Sequence, residues 1–190
     1  DPEAVEESGP NPALAIRPYP VGWGKDIAAG GATYHIRPIK PADVALYPDF
    51  LAKISPDDIR LRFLAPRIEF RDEMLKRLTQ LDYDRDMAFV ALDTSTGDLS
   101  GVGRLSSDPD KLRAEFALLV RTDLQGRGIG RQLLGHILDY ARSEGISRIE
   151  GIVLPENTTM LAMCKAFGFS TSDADQTGQM IATLDLDTGG

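Results

Sequence analysis

The chain has 190 residues, of which 42% are hydrophobic, and carries a formal net charge of −8. This size and composition predict a globular chain with a substantial core. The acidic charge argues against nucleic acid as a partner, and the single Cys164 excludes an intramolecular disulfide. No apolar run approaches the about 20 residues of a membrane span. No signal peptide is visible, so we expect a cytoplasmic protein with no membrane partner.

Residues 1–31 are rich in proline and glycine, a composition that rarely supports a packed element. We therefore expect a flexible tail or linker over residues 1–31 and one domain over residues 32–188. The short segment 14–20 is compatible with either a single strand or a docking segment.

From Thr33 onward, the spacing of apolar residues predicts regular elements. A strand at residues 34–39 is followed by three helices, which begin near Pro41, Ser55 and Arg71. The order of all the elements predicts an α/β fold, more narrowly α+β, with a mixed, mostly antiparallel sheet of about seven strands flanked by helices. The later strands are expected at residues 87–93, 99–106, 113–120, 148–154, 169–173 and 179–187, and the later helices at residues 129–145 and 157–167.

The most informative stretch is the glycine-rich turn at residues 125–131, between the strand at 113–120 and the following helix. Such a turn exposes unpaired backbone N–H groups at the positive end of a helix dipole, and glycines let a ligand approach the main chain. Phosphate is the natural ligand, and a diphosphate would fit. The turn does not match a Walker loop or a dinucleotide fingerprint. An ordinary tight turn is the alternative.

This turn resembles the acyl-CoA pyrophosphate loop of the GNAT superfamily of N-acetyltransferases, whose pattern Gln/Arg-x-x-Gly-x-Gly is met by Gln125, Gly128 and Gly130. A second resemblance is Asn157, followed by a helix and then by Gly168-Phe169. Further segments resemble the acetyltransferase domain of bacterial protein lysine acetyltransferases, which is fused behind an acyl-CoA synthetase-like region. They are residues 36–39, 61–63, 81–84 and 113–116.

The resemblance implies the GNAT fold, acetyl-CoA as the acyl donor, and a protein substrate with an acceptor lysine. Acyl-CoA synthetases are known substrates in the family. The resemblance also implies which residues hold the coenzyme. For Arg127 and Arg131 the alternative is a solvated side chain at the helix start, and for Asn157 it is a helix cap. These residues are Leu118, Leu119, Val120, Gln125, Gly126, Arg127, Gly128, Ile129, Gly130, Arg131 and Asn157. We expect no metal, because no acid at ligand spacing accompanies His136.

Glu115 is the candidate general base. A lysine ammonium has a pKa of about 10.4, so a well-placed carboxylate must accept its proton before the amine can attack a thioester. Glu115 lies in an otherwise apolar strand, and histone-acetylating members of the superfamily place a glutamate at nearly this position. The alternative is a half-exposed residue paired with Arg104 or Arg113.

Two further features concern the chemistry of transfer. Many family members carry a tyrosine seven residues after the asparagine as general acid, but here that position is Cys164, which we expect to be a packing residue. The acids at 82, 84 and 86 either attract an acceptor lysine or form a solvated loop. The leading hypothesis is an acetyl-CoA-dependent lysine acetyltransferase acting on a protein. The alternatives are a small-molecule amine acetyltransferase and a non-catalytic acyl-CoA-binding sensor.

Overall fold

The computed structural model describes residues 17–65, 68–175 and 177–186, in which eight strands form one sheet and five α-helices flank it. The strands are β1 (Lys25–Ala29), β2 (Ala32–Pro38), β3 (Asp86–Asp93), β4 (Leu99–Ser107), β5 (Arg113–Val120), β6 (Arg148–Val153), β7 (Ser170–Asp173) and β8 (Met180–Asp185). The helices are α1 (Tyr47–Ala52), α2 (Pro56–Phe63), α3 (Asp72–Thr79), α4 (Ile129–Ser143) and α5 (Thr158–Ala166). Short 3₁₀ helices lie at Pro41–Leu46 and Thr122–Leu124.

The strand order is β1-β2-β3-β4-β5-β6-β8-β7. All neighbouring strands are antiparallel except β5 and β6, which are parallel. The predicted mixed, mostly antiparallel sheet with flanking helices is therefore confirmed. The sheet has one strand more than expected, namely β1.

The sheet carries a hydrophobic core on each face. Along β3, Met87 and Phe89 belong to one core and Ala88 and Val90 to the other, as the alternation of side chains in a strand requires. Helix α4 covers the first face, and helices α1 and α3 cover the second. The domain is thus built in three layers, with the central strands buried on both sides.

The first helical segment differs from its prediction. The chain from Pro41 to Leu46 is a short 3₁₀ helix, and the α-helix begins only at Tyr47. In an α-helix, the carbonyl of Val44 would accept from the N–H group four residues later, but that residue is Pro48, which has no N–H group. The N–H of Tyr47, three residues later, bonds this carbonyl instead, which is 3₁₀ spacing.

The prediction of a flexible tail is wrong for the described residues before residue 30. Strand β1 pairs with β2 along its whole length, and the Arg17 guanidinium binds both carboxylate oxygens of Glu144 at 2.7 and 2.9 Å. The prolines and glycines of this segment surround aromatic residues, Tyr19 and Trp23, that pack on the domain. Residues 1–16 lie outside the described residues, including the first part of the 14–20 segment.

Trp23 is the main anchor of this N-terminal segment. Its ring packs edge-on against Tyr140 and His136, with centroid distances of 5.2 and 5.4 Å, and tilted against Phe89 at 6.3 Å. A ring nitrogen of His136, Nε2, donates to the Trp23 carbonyl at 2.8 Å. His136 is therefore a buried structural residue rather than a surface histidine, and burial lowers its pKa.

Within the described ranges, no helix is both long and apolar enough to cross a bilayer.

Replacing Trp23 by Ala will test the docking of this segment. We expect Trp23→Ala to lower the free energy of unfolding by about 2 kcal/mol, because it removes half-buried aromatic surface from the core. Trp23→Phe, which retains a ring, should lose less than half of this. Urea denaturation followed by circular dichroism gives both values. Equal denaturation midpoints for Trp23→Ala and the wild type would contradict the docking.

Candidate active site

The site begins where the two parallel strands of the sheet separate. The register of β5 and β6 ends at the pair Glu115–Glu150, although β5 continues to Val120 and β6 to Val153. The backbone groups of β5 that face β6 are therefore available to another partner beyond Glu115. The ring of Phe116 takes the space that a side chain at Gly151 would occupy, and it lies at the point of separation.

A cavity of about 540 Å³ fills this gap, a volume typical of small-molecule sites. Its walls are the end of β5, the turn before α4, the loop and first turns of α5, and helix α2. Of the predicted site residues, all but Arg127 line it. They are Glu115, Leu118, Leu119, Val120, Gln125, Gly126, Gly128, Ile129, Gly130, Arg131 and Asn157.

The side chain of Arg127 points elsewhere. Its aliphatic carbons fill the space that a side chain at Gly30, in the turn between β1 and β2, would need. The structure therefore does not bring this guanidinium to the cavity. Arg131 does line the cavity, and its guanidinium lies 6.0 Å from the centre of the Phe167 ring.

The glycine-rich turn has a backbone that requires glycine at two positions. Gly126 and Gly128 adopt φ values of +79° and +99°, which lie in the left-handed region, and α4 begins at the next residue. The first intrahelical bond joins the N–H of Gln132 to the carbonyl of Gly128. The preceding N–H groups at the start of α4 therefore have no intrahelical partner, and they lie at the positive end of the helix dipole.

Polar contacts tie helix α2 to both sides of the cavity. The Gln125 amide nitrogen donates to Asp58 at 2.9 Å, and the Thr122 hydroxyl donates to the same carboxylate at 2.6 Å. On the other side, Arg60 donates to Glu156 at 2.8 Å, in the loop before α5. Helix α2 is thus held across the gap between β5 and β6. The side chain of Gln125 is used in this contact.

Glu115 is exposed at the wall of the cavity. Its neighbours in register are Ser106 on β4 and Glu150 on β6. The alternative prediction, an ion pair with Arg104 or Arg113, is not observed among the described residues. Arg104 instead donates to the carbonyl of Leu78 at 2.7 Å. The carboxylate of Glu115 is therefore open to a molecule in the cavity.

Helix α2 and its C-cap contribute residues that were not predicted from the sequence, namely Asp58, Leu61 and Arg62 in the helix and Leu64 at the cap. The most unusual is Arg62, which is partly buried. Burial and the nearby charge of Arg104 lower the pKa of Arg62 to about 10, while the charge of Glu115 acts in the opposite direction. In the sequence, the sign that Arg62 is partly buried was its position between two apolar residues, Leu61 and Phe63.

Cys164 packs in the core, and Asn157 caps helix α5. Cys164 is fully buried, does not line the cavity, and has a pKa raised to about 11 by burial, so it is a packing residue. The side-chain oxygen of Asn157 accepts from the N–H of Met160 at 3.2 Å and caps α5. Because Asn157 also lines the cavity, its amide nitrogen can still donate to a ligand.

The acidic loop at residues 82–86 does not reach this cavity. Asp84 forms an ion pair with Lys111 at 2.8 Å, and neither Asp82 nor Asp86 lies on the cavity wall. Among the residues that the structure describes, no three or more His, Cys, Asp or Glu are grouped to hold a metal ion.

The sequence profile of the Acetyltransferase (GNAT) family matches residues 57–169, which include α2 from its second residue onward, the turn and α5. This chain belongs to the GNAT family of acetyltransferases. The membership confirms the predicted fold and enzyme class, and the matched region contains every residue of the cavity wall.

Individual relatives agree with this membership. The chain is 32% identical over 154 residues to acetyltransferase PA5475 of Pseudomonas aeruginosa, covering 80% of this chain and 83% of that protein. It is 28% identical over 157 residues to acetyltransferase Pat of Mycolicibacterium smegmatis, covering 82% of this chain but only 45% of Pat. The GNAT domain of S. lividans PAT superposes with a TM-score of 0.81 at 29% identity, covering 88% of this chain and 99% of that domain.

Proposed function

We propose that this domain transfers an acetyl group from acetyl-CoA to the side-chain amine of a lysine on a protein substrate, with Glu115 as general base. The observation that carries the proposal is the shared cavity. A carboxylate, an unpaired strand edge and an N–H-rich turn line it in that order along the chain. Each of the three suits a different part of the reaction.

The turn suits the diphosphate of the coenzyme. The unpaired N–H groups at the start of α4 and the helix dipole favour an anion, and the cation of Arg131 on the same wall can add a charge-assisted contact. The glycines at 126 and 128 leave the main chain open to close approach.

The free edge of β5 suits the pantetheine arm. An extended chain with amide groups can pair with the edge of β5 at Leu118–Val120 that β6 leaves free, much as an added strand pairs with a sheet edge. At the end of this edge, the Val120 carbonyl accepts from the Gln125 side chain at 3.4 Å. Asn157 on the opposite wall offers a side-chain donor to the same arm. This orientation directs the thioester from the turn toward Glu115.

Glu115 suits the proton transfer. At pH 7, deprotonation of a free lysine costs about 4.6 kcal/mol, and a general base typically contributes about 10²–10⁴-fold to the rate. The amine then attacks the thioester carbonyl, forming the C–N bond and breaking the C–S bond. Because Glu115 is exposed, an acceptor can reach it from outside the domain.

The similarity to Pat and to the GNAT domain of PAT supports a protein as the acceptor. We propose an acyl-CoA synthetase as the substrate, as the family resemblance implies. The chain spans less than half of Pat, so the activity of that whole protein is not transferred to this domain.

Glu115→Gln tests the base. We expect turnover to fall about 10²–10⁴-fold while the affinity for acetyl-CoA stays unchanged, because only the proton acceptor is lost. Transfer of radiolabelled acetyl groups to a purified acyl-CoA synthetase gives the rate, and calorimetry gives the affinity.

Glu150→Gln is the matched control, because this carboxylate is the neighbour of Glu115 in register but lies on β6 outside the cavity wall. It should keep turnover within about threefold, well inside the range expected for loss of a base. Normal turnover in Glu115→Gln would refute the base assignment. Wild-type transfer to small amines but to no protein would refute the proposed substrate.

Gly126→Ala tests the coenzyme turn, with Gly97→Ala in the turn between β3 and β4 as control. The two glycines have φ values of +79° and +76° and open space around them, so each alanine should cost about 1 kcal/mol of stability. Only Gly126→Ala should weaken coenzyme A binding, by about tenfold, because its methyl group keeps the diphosphate from the main chain. Equal affinities in calorimetry would show that Gly126 serves the turn alone.

A further inference from the structure

A second charged side chain, Arg62, lines the same cavity as Glu115. The ion pairs among the described residues do not include Arg62, and no hydrogen bond from its guanidinium is present there. No buried side-chain nitrogen in these residues lacks a partner. The guanidinium nitrogens of Arg62 therefore keep some accessible surface, and Arg62 is among the residues that line the cavity.

The surroundings of Arg62 make this cation costly. Arg104, the other cation next to it, is held by the carbonyl of Leu78, and Tyr47 lies buried beside both arginines. Both guanidinium pKa values are lowered, mainly by burial. Glu115 is the carboxylate that acts on Arg62. The guanidinium of Arg62 lies over the Phe63 ring, 4.5 Å from its centre, but pairs with no carboxylate among the described residues. A partly buried cation of this kind is stabilised by a negative charge that forms in the cavity.

The transfer reaction produces such a charge. When the C–S bond breaks, its electron pair stays on the coenzyme sulfur as a thiolate, which needs a proton or a counter-charge. Cys164 cannot supply the proton, because it is buried outside the cavity. Near the start of α5, the cavity wall offers methionines, alanines and neutral hydroxyl groups, whereas Arg62 offers a charged donor.

We propose that Arg62 is a further catalytic residue, whose guanidinium stabilises the negative charge on the departing coenzyme A sulfur. The inference rests on the proposed function. The lysine ammonium first passes one proton through Glu115 to solvent. The neutral amine then forms a bond to the acyl carbon, the C–S bond breaks, the second nitrogen proton goes to Glu115, and the electron pair stays on sulfur. Arg62 keeps all its protons, and the thiolate takes its proton from solvent after it leaves.

The charge balance of the site supports this role. Once the first proton of the ammonium has passed to solvent, the acceptor amine is neutral and the cavity end holds the Glu115 carboxylate and the Arg62 cation. After transfer, Glu115 is neutral and the thiolate carries the negative charge, so the sum of charges is unchanged. A cation that stays in place throughout prevents any step from leaving an uncompensated anion in a partly desolvated site.

Arg62→Ala with added methylguanidinium tests the proposal. We expect turnover to fall about 10²-fold, as for the loss of one preorganised donor to a developing anion. The acetyl-CoA affinity should stay within about threefold of the wild type, since the diphosphate turn is untouched. Millimolar methylguanidinium should restore turnover about tenfold, and Arg62→Lys should lie between Arg62→Ala and the wild type.

Glu115→Gln is the matched control and should not respond to methylguanidinium, because it lacks the base and not the cation. If Arg62→Ala does not fold, Arg62→Met replaces it, since this variant keeps an aliphatic stem for packing. Wild-type turnover in a folded Arg62→Ala or Arg62→Met variant would overturn the proposal. So would a loss in folded Arg62→Ala that methylguanidinium leaves unchanged. An inactive wild type would instead refute the proposed function.

Discussion

The site depends on the point at which β5 and β6 stop pairing. Up to Glu115, the two parallel strands share a ladder; beyond it, they separate and leave one edge of β5 without a backbone partner. The other edge of β5 stays paired with β4 as far as Val120, which keeps the free edge in a fixed position. The glycine-rich turn and α4 continue directly from this strand. A single interruption in the sheet therefore creates the cavity and supplies a row of unsatisfied backbone groups along it.

The charges of the site are also arranged along the cavity, from the turn before α4 to Glu115. The turn before α4 provides a positive end suited to a diphosphate, and Glu115 provides a negative charge near the other end, with Arg62 on the wall formed by α2. Helix α2 is held in place by Asp58 on one side and by Arg60 on the other. These contacts are mostly solvent-exposed, so each contributes little stability alone. Their value is positional, because they fix α2 and hence Arg62 over the gap.

Local patterns in the sequence were sufficient for much of this arrangement. Strand β5 has the predicted bounds, and the turn at 125–131 leads into α4 as expected, because strand alternation and glycine at positive φ are local properties. The sequence could not show that Trp23 docks on α4 or that α2 forms a wall, because both depend on residues distant in the chain. The direction of Arg127 depends on the backbone path set by the two flanking glycines, and a spacing motif does not contain that information.

The central claim is that the backbone N–H groups at residues 126–131 bind the diphosphate of coenzyme A. Amide hydrogen exchange, measured with and without coenzyme A under saturating conditions, tests it most directly. The account predicts that the amides of 126–131 exchange at least about tenfold more slowly in the complex, because hydrogen-bonded amides must open before they exchange. Unchanged exchange in this turn, with protection confined to another surface, would contradict it.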